Sequence, residues 1–195
     1  MKNLLSLFFG MKYCDTKKLK EVDHFIIVSN HNSHLDTMTI LSSLPASVLP
    51  HVHPVAAGDY FNKYRVLGFL VRIFVNVVYV YRDQSDKGSN LDYLDNHLKS
   101  GRNLILFPEG TRGEPDQLQS FRSGVGVLLK NNPSVKFVPV YIDGVGKMMP
   151  RGDGLPIPTI AHYKMGDPVD IAGLDIKEIN DAVLKSILDV KNSIL

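Results

Sequence analysis

The sequence predicts an α/β fold: a single domain with a mostly parallel central sheet flanked by helices. Three observations carry this expectation. Short unbroken apolar runs rich in Val and Ile, such as FIIVS at 25–29 and LILF at 104–107, show no polar alternation and read as strands buried on both faces. Segments of helical period fall between these runs, and strand–helix alternation is the pattern of parallel crossover units. The 195 residues, 44% hydrophobic and 22% charged, amount to one domain that can bury a core of useful size.

Residues 1–24 form a short N-terminal segment, the core of the domain follows over 25–170, and a terminal helix occupies 175–195. The apolar run of residues 4–9 lacks a small-residue cleavage site and falls well short of the roughly 20 residues that span a bilayer. It reads as an interfacial, membrane-facing anchor or as a packing segment. Residues 25–29 are the first strand. A loop punctuated by Pro45, Pro50 and Pro54 leads to a helical stretch at 60–74 and a strand at 77–81 that ends at Arg82. Residues 66–81 are the most hydrophobic region, but Arg72 and Asn76 interrupt it and make it a poor membrane span. Ser89 is placed to cap a helix carrying Leu91, Leu94 and Leu98, and Gly101 stands where a C-terminal glycine cap belongs. Residues 104–107 are the third strand, Ser120 caps a helix stopped by Pro133, and residues 135–142 are the fourth strand. Pro139 within that strand signals an edge, a bulge or a strand end. Ile176, Ile179, Val183, Ile187, Val190 and Ile194 recur at three- and four-residue intervals, one packing face of the terminal helix.

With 22 basic against 20 acidic residues, the net charge of +2 is too balanced for a nucleic-acid binder. The single cysteine, Cys14, excludes an intrachain disulfide and a Cys-based metal cluster, and fits a reducing compartment.

Ligand sites in such sheets collect at the carboxyl ends of strands, and both polar motifs lie there. The first is Asn30-His31-Asn32-Ser33-His34-Leu35-Asp36, an HX4D pattern. Histidine can take a proton from a hydroxyl near neutral pH, and a carboxylate can fix its tautomer by accepting from the other ring nitrogen. Positions five apart share no helix face, so this pairing requires a turn or helix start between them. The alternative is that Asn30 or Ser33 caps a helix and His31 and Asp36 are solvated loop residues. The second motif is Phe107-Pro108-Glu109-Gly110-Thr111-Arg112-Gly113. Glycines let backbone approach a ligand, and a planar guanidinium can grip a phosphate through two hydrogen bonds. An ordinary surface turn with an internal Glu–Arg pair is the alternative here.

Together, Asn-His-x-Ser-x-x-Asp after a strand, an aliphatic strand ending in Arg82, Phe-Pro-Glu-Gly-Thr-Arg-Gly, and then Val138-Pro139-Val140 resemble the glycerolipid acyltransferase family in order and spacing. The resemblance runs from about residue 28 to residue 144, with a weaker echo in Lys164-Met165-Gly166-Asp167-Pro168-Val169 and a basic continuation in Phe121-Arg122-Ser123-Gly124. It implies a glycerol-3-phosphate acyltransferase-like fold with His31 as general base, Asp36 as its partner, and Arg82, Glu109, Gly110, Thr111 and Arg112 at the acceptor site. It implies acyl-CoA or acyl carrier protein thioesters as co-substrates, no metal or bound cofactor, and a lysolipid acceptor, 1-acylglycerol-3-phosphate first among them. It also implies a peripheral place on the inner, cytoplasmic face of a membrane, and a part for Pro139 in shaping the acyl pocket. One departure is that in the family the aliphatic strand that ends in the arginine usually carries a glycine several residues before it, where this chain has Asn76 leading into residues 77–82.

Two other functions compete. His31, His34, Asp36, His51 and His53 include zinc-ligating types and would suit a metallohydrolase, although no helical His-Glu-x-x-His pattern is present. A non-catalytic lipid-binding protein would use the same apolar surface but has no need of the His31–Asp36 pair.

Overall fold

The computed structural model describes residues 10–14, 16–33, 35–58, 76–81, 87–114, 117–148 and 160–194. The expected helix at 60–74, the apolar residues 4–9, His34 and Arg82 lie outside the described residues.

Seven strands form one sheet: β1 (Met11–Tyr13), β2 (Phe25–Ser29), β3 (Val52–Ala57), β4 (Val78–Val80), β5 (Asn103–Leu106), β6 (Lys136–Asp143) and β7 (Ala161–Met165), in the order β1-β7-β6-β2-β5-β3-β4. Every neighbouring pair is parallel except β6–β7, so β1 and β7 run against the other five. The mostly parallel α/β architecture is therefore the one the buried runs indicate. The described helices are α1 (Leu35–Ser43), α2 (Lys87–Lys99), α3 (Gly124–Asn131), the short α4 (Val145–Met148) and α5 (Ile176–Asn192).

Strict alternation along the central strands sorts the core into two layers, because successive side chains leave a strand on opposite faces. Phe25, Ile27, Ile105, Val138 and Val140 pack with Ile40 and Leu41 of α1. Ile26, Val28, Leu104, Leu106, Phe137 and Tyr141 pack on the other face with Leu94 and Leu98 of α2, Leu128 and Leu129 of α3, and Ile179, Val183 and Ile187 of α5. Helix α5 begins in a capping box, in which Glu178 N–H donates to Asp175 Oδ1 (2.8 Å) and Asp175 N–H donates to Glu178 Oε2 (2.7 Å). Helix α2 ends at Gly101, whose φ of +83° permits the reversal. Gly101 N–H bonds Leu98 O and Arg102 N–H bonds His97 O, the paired bonds of a Schellman cap.

Several expectations are corrected. Strand β3 occupies what reads as a proline-broken loop. Its first half, including Pro54, pairs with β5, and its second half pairs with β4, so the proline falls at the changeover between ladders. Strands β1 and β7 also escape the hydrophobic pattern: MKY is three residues long and AHYKM alternates. Helix α2 begins at Lys87, which places Ser89 inside it rather than at its cap. Helix α3 begins at Gly124, with Ser123 rather than Ser120 before it, because Gln119 and Arg122 are held back by the loop after β5. Pro139 sits in an interior strand beside a bulge. Val140 faces Met165 but Phe137 faces Val169, so the partner chain gains one residue across Gly166 just where Pro139 lacks a donor.

Asn76 explains why a glycine position can hold another residue. Its φ is +55°, the left-handed region that asparagine tolerates better than most residues, and its carbonyl accepts a hydrogen bond from His53 Nδ1 at 3.0 Å. Among the described residues no helix is long and apolar enough to cross a membrane. Asn76→Val is expected to destabilise the domain by about 1–2 kcal/mol, because the β-branched side chain forbids that backbone conformation, whereas Asn76→Gly is tolerated. Urea unfolding of the two variants beside the native chain checks this.

Candidate active site

Strands β2 and β5 are parallel neighbours with Val28 opposite Leu106, so both polar motifs leave the sheet side by side at the same rim. The first motif turns immediately. One carboxylate oxygen, Asp36 Oδ2, accepts from Asn32 N–H (2.7 Å) and Ser33 N–H (2.8 Å) and lies 3.0 Å from His31 Nδ1. Asp36 occupies the first turn of α1 and is 1% exposed. The backbone at Asn32 and Ser33, whose N–H groups both meet Asp36, brings the five-residue spacing together, and Ser33 Oγ accepts from Leu35 N–H at 3.3 Å as that helix begins. His31 and Asp36 are thus not solvated loop residues.

The imidazole of His31 is stacked on Phe107, centroids 4.1 Å apart and 19° from parallel, and its side chain keeps 20% of its surface exposed. With Nδ1 turned to Asp36, Nε2 is the ring nitrogen left for an incoming group. A ring held in this way can serve as a proton acceptor through Nε2.

The second motif is bound to the first. Glu109, 3% exposed, accepts from His31 N–H on Oε1 (3.0 Å) and from Gln119 N–H on Oε2 (3.3 Å). Burial pushes its carboxyl above the ordinary range, and the two backbone donors offset part of that rise. Gly113 N–H donates to His31 O at 2.8 Å. Gly110 has φ +71°, and a Cβ there would lie 2.7 Å from Arg122 Nε, so the glycine is what allows Arg122 to lie across the loop. Arg122 N–H also donates to Pro108 O at 2.9 Å. Thr111 Oγ1 bonds Gln119 Oε1 at 3.3 Å, and Arg112 is half-buried in the same loop.

The structure therefore gathers His31, Asp36, Glu109, Gly110, Thr111 and Arg112 at one rim. Arg82 itself lies outside the described residues. The residue before it, Tyr81, donates its N–H to Asn90 Oδ1 at 3.1 Å and accepts from Asn90 Nδ2, which fixes the end of β4. Sequence reasoning gave no role to Asn32 or Gln119, and to Asn30 only that of a helix cap. The two asparagines had a signal in the polar run that follows a buried strand, whereas Gln119, ten residues from the carboxylate it meets, had none. His51 and His53 lie at the amino end of β3, the opposite rim from His31, so the zinc-ligating set of the competing reading is not assembled. Among the described residues, no three His, Cys, Asp or Glu side chains form a group that could hold a metal ion.

The chain resembles known proteins along most of its length. A family model described as Acyltransferase matches residues 11–143. The chain is 27% identical over 182 residues to taffazin of Dictyostelium discoideum, covering 84% of this chain and 61% of that protein. It is 31% identical over 130 residues to the chloroplastic 1-acyl-sn-glycerol-3-phosphate acyltransferase BAT2 of Brassica napus, covering 65% of this chain and 35% of the relative. The chain thus spans less than two thirds of the length of these curated relatives. The crystal structure of the 1-acyl-sn-glycerophosphate acyltransferase PlsC from Thermotoga maritima superposes with a TM-score of 0.76 at 24% identity, over 95% of this chain and 73% of that one, and shares its fold. Since the family match takes in the sheet rim, both polar motifs and more than half of the residues, the chain belongs to the acyltransferase family.

Proposed function

We propose that the chain transfers a fatty acyl group from an acyl-CoA or acyl carrier protein thioester to a hydroxyl of a lysolipid, with 1-acylglycerol-3-phosphate as acceptor and phosphatidate as product. The observation that carries this reading is the His31–Asp36 hydrogen bond of 3.0 Å at an exposed strand end. Nε2 takes the proton of the acceptor hydroxyl as its oxygen attacks the thioester carbonyl. The carbon–sulfur bond then breaks, and the thiolate leaves with the proton returned from the imidazolium. Asp36 holds the ring and stabilises its cationic form. No acyl-enzyme is required, and Cys14, whose sulfur accepts from Met165 N–H at 3.2 Å, has no part in the reaction. The thioester already activates the acyl group, so the reaction as written needs no cofactor.

Acceptor choice rests on the arginines. Arg112 and Arg122 share the loop around Gly110, and a guanidinium suits a phosphate monoester in charge and geometry. Arg82 joins them in this reading. Relatives named as 1-acyl-sn-glycerol-3-phosphate acyltransferases support the same acceptor class. A lipid acceptor requires the site to meet a membrane surface. Leu4, Leu5, Leu7, Phe8 and Phe9 are the residues we assign to peripheral contact, on the inner, cytoplasmic face of a membrane.

Three variants test this reading by thiol release from long-chain acyl-CoA or acyl carrier protein with lysophosphatidate in vesicles. His31→Ala is expected to lower kcat by about 10²–10⁴-fold, with the fold kept and a modest fall in melting temperature, since Asp36 Oδ2 retains its two backbone donors; a folded variant that keeps the native rate would overturn the mechanism. Asp36→Asn is expected to lower kcat by a comparable factor and also to cost about 1–3 kcal/mol of stability, because Asp36 Oδ2 serves two backbone N–H groups besides the imidazole. Arg112→Ala is expected to raise KM for the phosphate-bearing acceptor about tenfold or more while sparing KM for the thioester. An unchanged acceptor KM would remove Arg112 from the site.

A further inference from the structure

The turn that carries the base and the loop that carries Thr111 and Arg112 belong to different strands, and their separation must be kept if a hydroxyl and a phosphate of one acceptor are to be held at once. Two of the ties are already described, Glu109 on His31 N–H and Gly113 N–H on His31 O. The third runs through one side chain. Asn32 Nδ2 donates to Glu114 O (2.5 Å) and to Gln117 O (3.4 Å), two carbonyls of the chain that follows Arg112. Its Oδ1 accepts from Asn30 Nδ2 at 2.8 Å, and its own N–H is one of the donors on Asp36 Oδ2. Asn30 in turn is anchored on β6, where Ile142 N–H donates to its Oδ1 and Ile142 O accepts from its Nδ2, each at 2.8 Å. The path is therefore continuous from the end of β6, through two buried amides, to the arginine loop, with a branch to the Asp36 carboxylate.

We infer that Asn32 is a positioning residue for the acceptor: its amide holds the segment after Arg112 against the His31–Asp36 pair and so fixes the distance between phosphate contact and base. Only an amide can serve both ends, since it must accept from Asn30 and donate to two carbonyls at once. A leucine has similar bulk and can do neither, and an aspartate would set an oxygen against both carbonyls. The inference rests on the acyl-transfer reading above and sharpens it, because the role has meaning only if acceptor phosphate and acceptor hydroxyl are bound together.

The test is steady-state thiol release from palmitoyl-CoA with varied 1-acylglycerol-3-phosphate, using the full chain, Asn32→Leu and Asn32→Gln, with thermal melts of each. Asn32→Leu is expected to raise KM for the acceptor about five- to tenfold, the effect of losing hydrogen bonds of ordinary strength, and to leave KM for palmitoyl-CoA unchanged. Asn32→Gln, which keeps the amide on a longer stem, is expected to recover most of that loss. If Asn32→Leu does not fold, Asn32→Ser, too short to reach both carbonyls, decides in the same way. An acceptor KM equal to that of the native chain, or a fall in kcat with both KM values unchanged, overturns the inference and leaves acyl transfer standing. A native chain that releases no thiol with this acceptor removes the acyl-transfer reading and the inference with it.

Discussion

One buried carboxylate organises the rim of this sheet. Asp36 Oδ2 collects three N–H groups, two from backbone and one from an imidazole, at a position almost closed to solvent. A carboxylate in such a place would be costly without its donors, and those donors would be costly without the carboxylate, since buried polar groups must be paired. The backbone of Asn32 and Ser33 is thereby fixed by the same contact that aims the histidine. The orientation of the imidazole and the local folding of the chain are one constraint here.

Glu109 extends this logic. The sequence pattern invites a reading of the Pro-Glu-Gly-Thr-Arg run as a cradle in which every polar residue faces a ligand. In the structure both Glu109 oxygens are turned to backbone N–H groups, one on the histidine turn and one on the returning chain at Gln119. Arg122, ten residues after Arg112 and packed over Gly110, is the neighbour that the run itself did not announce. A motif compact in sequence is shared in space between internal ties and groups available to a ligand, and its residue types alone do not separate the two.

What could be read in the sequence follows the same division. The strands at 25–29, 104–107 and 135–142 and the helix carrying Val183 and Ile187 were legible because a doubly buried strand and an amphipathic helix each leave a strong local pattern. Strand β3 was not, because its proline is accommodated only by a change of partner midway, a fact of the sheet rather than of the segment. The short edge strand β1 was hidden for a related reason: three residues carry no periodicity, and its pairing is with the far end of the chain. At the site, His31 and Asp36 stand out as a spacing, whereas the roles of the Asn30 and Asn32 amides depend on partners at 114, 117 and 142 that no local pattern announces.

Strand β1 has a consequence for how the molecule is made. Met11 lies opposite Ala161, so the first strand of the sheet borders one that leaves the ribosome 150 residues later. Strand β7 itself runs against β6 and must arrive before β1 has a neighbour at all. Contacts between distant parts of a chain form slowly, and unpaired strand edges are where partly folded chains stick to one another. During synthesis the central strands can associate while the amino-terminal end still waits. That edge can close only after residue 161 has been made, so β1 is left without its sheet neighbour for most of the synthesis of the domain.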